Sequence, residues 1–218
     1  MDNPTLAELA ITRPGATRVF LKHGLDFCCH GRRPFDEACT EKGLDPNAIL
    51  AEIANEETIA DEISDLVGRP IDELVDFIES HYHKRLRAEL PELIAMAEKV
   101  EKVHASKPTC PRDLTGHLRT IYSAILDHLE KEEQVLFPMI RSGVRGGAGA
   151  PIRVMEQEHE DHGKNLENLR ALTYDFIAPP EACATWKALY LRLNRLSDEL
   201  MEHIHLENNV VFPRVLCG

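Results

Sequence analysis

Along most of this chain apolar residues recur every three to four positions, and the strict alternation of a half-buried strand is nearly absent. Gly and Pro fall mostly between the periodic segments. The pattern predicts an all-α fold. Roughly the first 60 residues read as short helices with clear punctuation. Thr5-x-x-Glu8 is a capping box. Gly24 stops a segment holding Val19, Phe20 and Leu21, and Asp45-Pro46 places an N-cap before a proline at the first helical position, opening a segment through Ile49, Leu50 and Ile53. A linker with Gly68 and Pro70 leads to four longer helical patterns at about 71–104, 112–141, 151–176 and 181–215. The breaks between them are Lys107-Pro108 to Pro111, Gly143 to Pro151, and Pro179-Pro180. The stretch 143–150, GVRGGAGA, is expected to be a surface loop, because its glycines disfavour regular helix. Short connections make antiparallel neighbours, so the longer helices are expected to form an up-down-up-down four-helix bundle. Two domains follow: a small N-terminal helical domain, residues 1–60, and the bundle, residues 71–218.

One motif is written twice within the bundle. Residues 128–138 read H-L-E-K-E-E-Q-V-L-F-P and residues 203–213 read H-I-H-L-E-N-N-V-V-F-P, an offset of 75. Both contain His-x3-Glu, which on a helix puts imidazole and carboxylate on one face, one turn apart. His83 and His159 differ by 76, as do Leu90 and Leu166, and Leu93 and Leu169. The first two helices therefore resemble the last two, and a pseudo-two-fold bundle would gather His83, His128, Glu132, His159, His203 and Glu207. Four imidazoles and two carboxylates exceed what one tetrahedral zinc takes. They suit two metal ions, each with two histidines and both bridged by the glutamates. Iron, manganese and zinc accept such donors. An oxo or hydroxo bridge would fill the space between the metals and leave open positions for a small molecule.

A rival pattern is Glu-x-x-His, which occurs as Glu101/His104 and Glu156/His159. It ranks lower, because Glu101 and His104 lie beside the Pro108 break and because it leaves the repeated His-x3-Glu unexplained. His205 falls about 200° round the helix from His203 and is expected to face solvent. His23, His81, His104, His117 and His162 have no repeat partner of matching type, and His162 aligns with Leu86. Glu158 stands either to orient an imidazole or on a solvated face. Phe137-Pro138 and Phe212-Pro213 are expected to be packing and helix-end residues.

Composition narrows the partners. The 218 residues are 43% hydrophobic, enough for a proper core, and carry a formal net charge of −12. That charge argues against nucleic acid and against an anionic membrane surface. No stretch approaches the ~18 apolar residues of a membrane span, and the N-terminus shows no signal pattern. A cytoplasmic protein is expected. The six cysteines are read as thiols of a reducing compartment. Cys28 and Cys29 are adjacent and poorly placed to close a disulfide on each other. Neighbouring His30, Arg32 and Arg33 would favour thiolate, which makes the pair candidate redox or metal-handling thiols. The alternative is two small buried hydrophobes.

The order His, His-x3-Glu, His, His-x3-Glu on four helices resembles a hemerythrin-like di-iron bundle. With L-D-F-C-C-H-G, V-E-K-V-H-A-S-K-P and H-x-x-L-E-N-N-V-V-F-P, the whole chain is similar to the repair-of-iron-centres (ScdA/YtfE-type) family. The resemblance implies two Fe ions held by the six residues above, with Glu132 and Glu207 as bridges, and Cys28 and Cys29 as the family's cysteine pair. It implies repair of iron–sulfur clusters damaged by nitrosative or oxidative stress, with iron donation as one route. The implied partners are damaged iron–sulfur proteins or a cluster scaffold, with nitric oxide or O2 as small ligand, and there is room for a homodimer. Two other readings are a nitric oxide reductase or scavenger, which would be an enzyme, and a non-catalytic O2- or NO-binding module. His30 departs from the small residue, such as Gly, expected there.

Overall fold

The computed structural model describes residues 3–56, 62–143 and 147–217. Among these the chain is helical, and the only extended pairing is an isolated bridge between Thr5 and Pro34. Four short helices come first: α1 (Leu6–Thr12), α2 (Ala16–His23), α3 (Phe35–Glu41) and α4 (Pro46–Glu56). Local chemistry sets their ends. Thr5 Oγ1 accepts the Glu8 N–H at 3.1 Å, and Glu8 Oε2 accepts the Thr5 N–H at 2.8 Å, satisfying two donors that a helix start leaves open. Gly24 closes α2 at φ +64°, a conformation glycine adopts without steric cost. Asp45 Oδ1 accepts the Asn47 N–H at 3.0 Å and so caps α4. The apolar faces of these helices meet in one cluster around Phe20, Phe27, Phe35, Ile49 and Ile53.

A short helix α5 (Glu62–Val67) precedes the bundle. Helix α6 runs Ile71–Phe77, through a π-helical turn Ile78–His83, and on as Lys84–His104. Helix α7 runs Leu114–Lys131, a π turn Glu132–Leu136 and Phe137–Arg141. Helix α8 is Gly149–Leu172, without such a turn. Helix α9 runs Ala184–His205, a π turn Leu206–Val211 and Phe212–Cys217. Each packs on the next and α9 returns to α6, which gives the four-helix bundle. Two boundaries differ from the sequence reading. Of the glycine-rich stretch, residues 144–146 lie outside the described residues, while Gly149 and Ala150 already belong to α8, where Pro151 is tolerated in the first turn. Phe137-Pro138 and Phe212-Pro213 do not end their helices, which continue to Arg141 and Cys217.

The Phe-Pro pairs instead close two of the three π turns. The Phe137 N–H donates to the Glu132 carbonyl, and the Phe212 N–H to the Glu207 carbonyl, each five residues back. A proline just beyond has no N–H to donate and crowds the carbonyl four residues before it, so a widened turn is relieved where an α-turn would be strained. The same turns hold the glutamates of the repeat. Along the bundle axis this region is a polar layer. On one side lies an apolar cluster with Leu90, Leu93, Leu118, Leu169, Trp186 and Leu193. On the other lies a second cluster with Leu74, Ile78, Leu136, Ile152, Leu206 and Val211.

Candidate metal centre

The polar layer is made of the six side chains that the repeat singles out. His83, Glu132, His159 and Glu207 are fully buried, and His128 and His203 nearly so. Their donor atoms form two sets, each within 4.8 Å: His83, Glu132, His203 and Glu207, and His128, Glu132, His159 and Glu207. Both glutamates belong to both sets. Glu132 Oε2 lies 3.4 Å from His83 Nε2 and 3.5 Å from His128 Nε2. Glu207 Oε1 lies 3.0 Å from His203 Nε2, and its Oε2 lies 3.1 Å from His159 Nε2. The Nε2 atoms of His83 and His203 are 3.3 Å apart, and those of His128 and His159 3.1 Å.

The opposite ring nitrogens are held from behind. His83 Nδ1 donates to Glu133 at 2.8 Å, His128 Nδ1 to Glu158 at 2.9 Å and His159 Nδ1 to Asn208 Oδ1 at 2.7 Å. Acceptors on Nδ1 leave the Nε2 lone pairs directed into the layer. The Phe of each Phe-Pro pair lies flat against an imidazole: Phe137 on His83 at 5.6 Å between ring centroids, and Phe212 on His159 at 6.0 Å. Tyr82 stacks on His203 at 5.1 Å. These rings keep water from the apolar side of the layer.

The electrostatics are unfavourable for protein atoms alone and suited to a cation. Burial, and then the charge of His203, push His83 down to about 4, while burial and His159 push His128 down as well. Neutral imidazoles are the ligating form. Burial and then Glu207 push Glu132 well up. Burial raises Glu207 too, but His203 and His159 outweigh it and hold its carboxyl well below the usual range. Both oxygens of Glu132, Oε2 of Glu207 and Nδ1 of His203 are buried without a well-formed hydrogen bond. Carboxylate oxygens left so are costly in an apolar setting. Cations between paired nitrogens and shared carboxylates satisfy them, and mixed nitrogen and oxygen donors suit iron, manganese or zinc.

The other residues considered from the sequence fall elsewhere. Glu156 points to Arg32 at 3.5 Å, and His104 sits beside Trp186 and Cys183, so the Glu-x-x-His pattern does not assemble. His205 is buried rather than solvent-facing. The segment between α2 and α3 covers that side of α9: Phe27 packs edge-on against the ring at 5.2 Å, and Asn209 meets His205 Nδ1 at 3.0 Å. His162 is buried against His128, 4.9 Å between centroids, where the pseudo-symmetric position holds Leu86. Glu158 takes the orienting role of its two alternatives. Glu133 and Asn208 were missed, although the repeat marks them: each directly follows the shared glutamate of its half.

The cysteine pair lies near the centre. Cys28 is buried in the apolar cluster of the bundle itself, and Cys29 Sγ lies 3.4 Å from the His159 carbonyl. The expectation that basic neighbours favour thiolate fails at Cys28. Its Sγ contacts Cys29 at 3.7 Å and Asp26 at 3.3 Å, and the Cys29 contact, together with burial, pushes the thiol well up. His30 is occupied by Asp26 at 2.5 Å, and Arg33 pairs with Glu41.

Residues 73–215 match the family described as the hemerythrin HHE cation binding domain, and residues 2–57 match a domain of unknown function, ScdA_N (DUF542). An iron-sulfur cluster repair protein YtfE of Yersinia pseudotuberculosis serotype IB (strain PB1/+) is 47% identical over 216 residues, covering 99% of this chain and 98% of its own. One of Dickeya chrysanthemi (strain Ech1591) is 48% identical over 214 residues, 98% of this chain and 97% of its own. One of Yersinia pestis (strain Pestoides F) is 46% identical, with 99% and 98% covered. Identity of this extent from end to end, with the cation-binding match laid over the helices that carry the polar layer, means that the chain belongs to the YtfE family of hemerythrin-type proteins.

Proposed function

We propose that this protein binds two iron ions on His83, His128, Glu132, His159, His203 and Glu207 and serves in the repair of iron–sulfur clusters damaged by nitrosative or oxidative stress. The observation that carries the metal assignment is that two His2Glu2 sets share both carboxylates. What supports repair is full-length similarity to proteins of that name. When bound, iron supplies redox chemistry and coordination positions for a small ligand.

The chain's own residues prepare that site. Glu133, Glu158 and Asn208 hold the Nδ1 protons of three histidines, fixing ring orientation. Phe137, Phe212 and Tyr82 exclude water from it. Damaged iron–sulfur proteins or a cluster scaffold are the targets we assign, in the cytoplasm. No helix among the described residues is long and apolar enough to cross a membrane.

Metal analysis with Mössbauer spectroscopy on fresh protein tests the first half: one iron per chain, or four-coordinate zinc, overturns it. Recovery of a nitric-oxide-damaged iron–sulfur enzyme tests the second. Loading with isotope-labelled iron separates iron donation from nitric oxide removal, because only donation carries label into the recovered cluster.

A further inference from the structure

The internal repeat puts two different residues in one role. Glu133 and Asn208 occupy equivalent positions, and each accepts the Nδ1 proton of the lone histidine of one half, His83 or His159. Glu133 is gripped from outside by Arg87, at 2.7 and 2.9 Å. Asn208 instead uses both ends of its amide. While Oδ1 takes the His159 proton at 2.7 Å, Nδ2 donates to the Cys28 carbonyl at 3.2 Å. A carboxylate could make the first bond and not the second. Asn209 adds donors to the Phe27 and Cys28 carbonyls, at 3.1 and 3.3 Å. Cys29 Sγ, on the same segment, reaches the His159 carbonyl. Cys29 and Asn208 both line a surface cavity of about 740 Å³, so reagents reach this place from solvent.

We propose that Asn208 is a positioning residue that couples the Cys28–Cys29 segment to the metal centre. The proposal rests on reading the His/Glu layer as a metal site. Metal on His159 fixes the ring, the ring fixes the amide, and the amide fixes the backbone that carries both thiols. The coupling runs equally in reverse: a change at the thiols moves Cys28, pulls Nδ2 and disturbs the hydrogen bond that orients His159. By linkage the two effects have the same factor. The other half of the site has no such tie, because Glu133 answers to Arg87. The two metal positions are thus inequivalent, and the one held by His128 and His159 is the one that senses the thiols.

The test uses the full chain, iron-free and iron-loaded, as wild type, Asn208→Asp and Asn208→Ala. Iodoacetamide alkylation of Cys29 is followed by peptide mass, iron by elemental analysis and folding by circular dichroism. In the wild type, iron should slow Cys29 alkylation by about fivefold or more, and prior alkylation should weaken iron binding. Asn208→Asp keeps an acceptor for His159 and loses the donor to Cys28. It should hold iron and show equal alkylation rates loaded and free. Asn208→Ala should lose the coupling and bind iron more weakly. If wild type holds its iron and Cys29 reacts at one rate regardless, the coupling is wrong and the metal reading stands. If Asn208→Asp retains the full rate difference, the route is the Cys29 contact with the His159 carbonyl, and Asn208 has been wrongly assigned. If wild type takes up no metal, the metal reading fails and this inference with it.

Discussion

Mild acid should destabilise the metal-free chain. His83 and His162 are each pushed down to about 4 from 6.5, by burial first and then by His203 and His159 respectively. His128 is lowered by burial and then by His159. For an imidazole with a depressed folded-state value, stability is intact above the unfolded value and is lost as pH falls toward the folded one. Glu132 runs the other way: its raised value makes its contribution intact below about 4.5 and lost as pH rises, so on acidification it opposes the histidines. His83 and His162 carry the magnitude, because each would be charged over most of this range in the unfolded chain and stays neutral in the folded one; His128 adds to the fall and Glu132 subtracts from it. At about 1.4 kcal/mol per unit, each of those two imidazoles loses roughly 2 kcal/mol between pH 7 and pH 5, so stability should fall by a few kcal/mol. Against a typical total of about 5–15 kcal/mol, such a loss shifts a urea midpoint visibly. Urea titrations of chelator-treated protein, read by circular dichroism, measure it. His162→Leu, which removes one of these imidazoles outside the six-residue set, should cut the fall by roughly 2 kcal/mol. Stability that is flat or rises from pH 7 to pH 5 would refute the reasoning.

Glu132→Leu or Glu207→Leu should lose more iron per chain than His83→Leu, because each glutamate serves both donor sets and His83 only one; equal losses on elemental analysis would count against sharing. Glu158→Ala removes the Nδ1 acceptor of His128 and should weaken metal binding by roughly 10–100-fold in competition with a chelator, with helicity unchanged. Thr5→Ala opens the capping box of α1 and should cost about 1 kcal/mol on denaturant unfolding while leaving the iron spectrum alone; loss of iron there would mean that the first helix supports the centre directly.

The sequence brought together most of this layer because its six His and Glu residues lie on helices, where spacing fixes direction. His128 and Glu132 face one way simply because they are four apart, and the 75-residue offset supplied their partners. Helix ends were legible for a similar reason: Thr5, Gly24 and Asp45 act on atoms within a few residues of themselves. What escaped depends on contacts between distant segments. His205 has a solvent-facing position on an isolated helix and becomes buried because Phe27, 178 residues earlier, is laid across it. Cys28 is buried because the bundle's apolar cluster closes over it, and its thiol then meets Asp26 and Cys29 rather than the basic residues that follow. The π turns escaped because 3.6-residue periodicity contains no sign of a single extra residue, although a proline following the repeated glutamates was a trace of it.

The division of the bundle into two apolar blocks with a polar layer between them has a mechanical consequence. Apolar packing cannot carry stiffness across a seam of imidazoles and carboxylates. Within the bundle the two blocks are joined there by four helix crossings and by the six side chains between them. Three of those four crossings are widened turns. Cations shared by both carboxylates would tie the four crossings together at one level, so the layer sets how firmly the two halves of the bundle hold to each other.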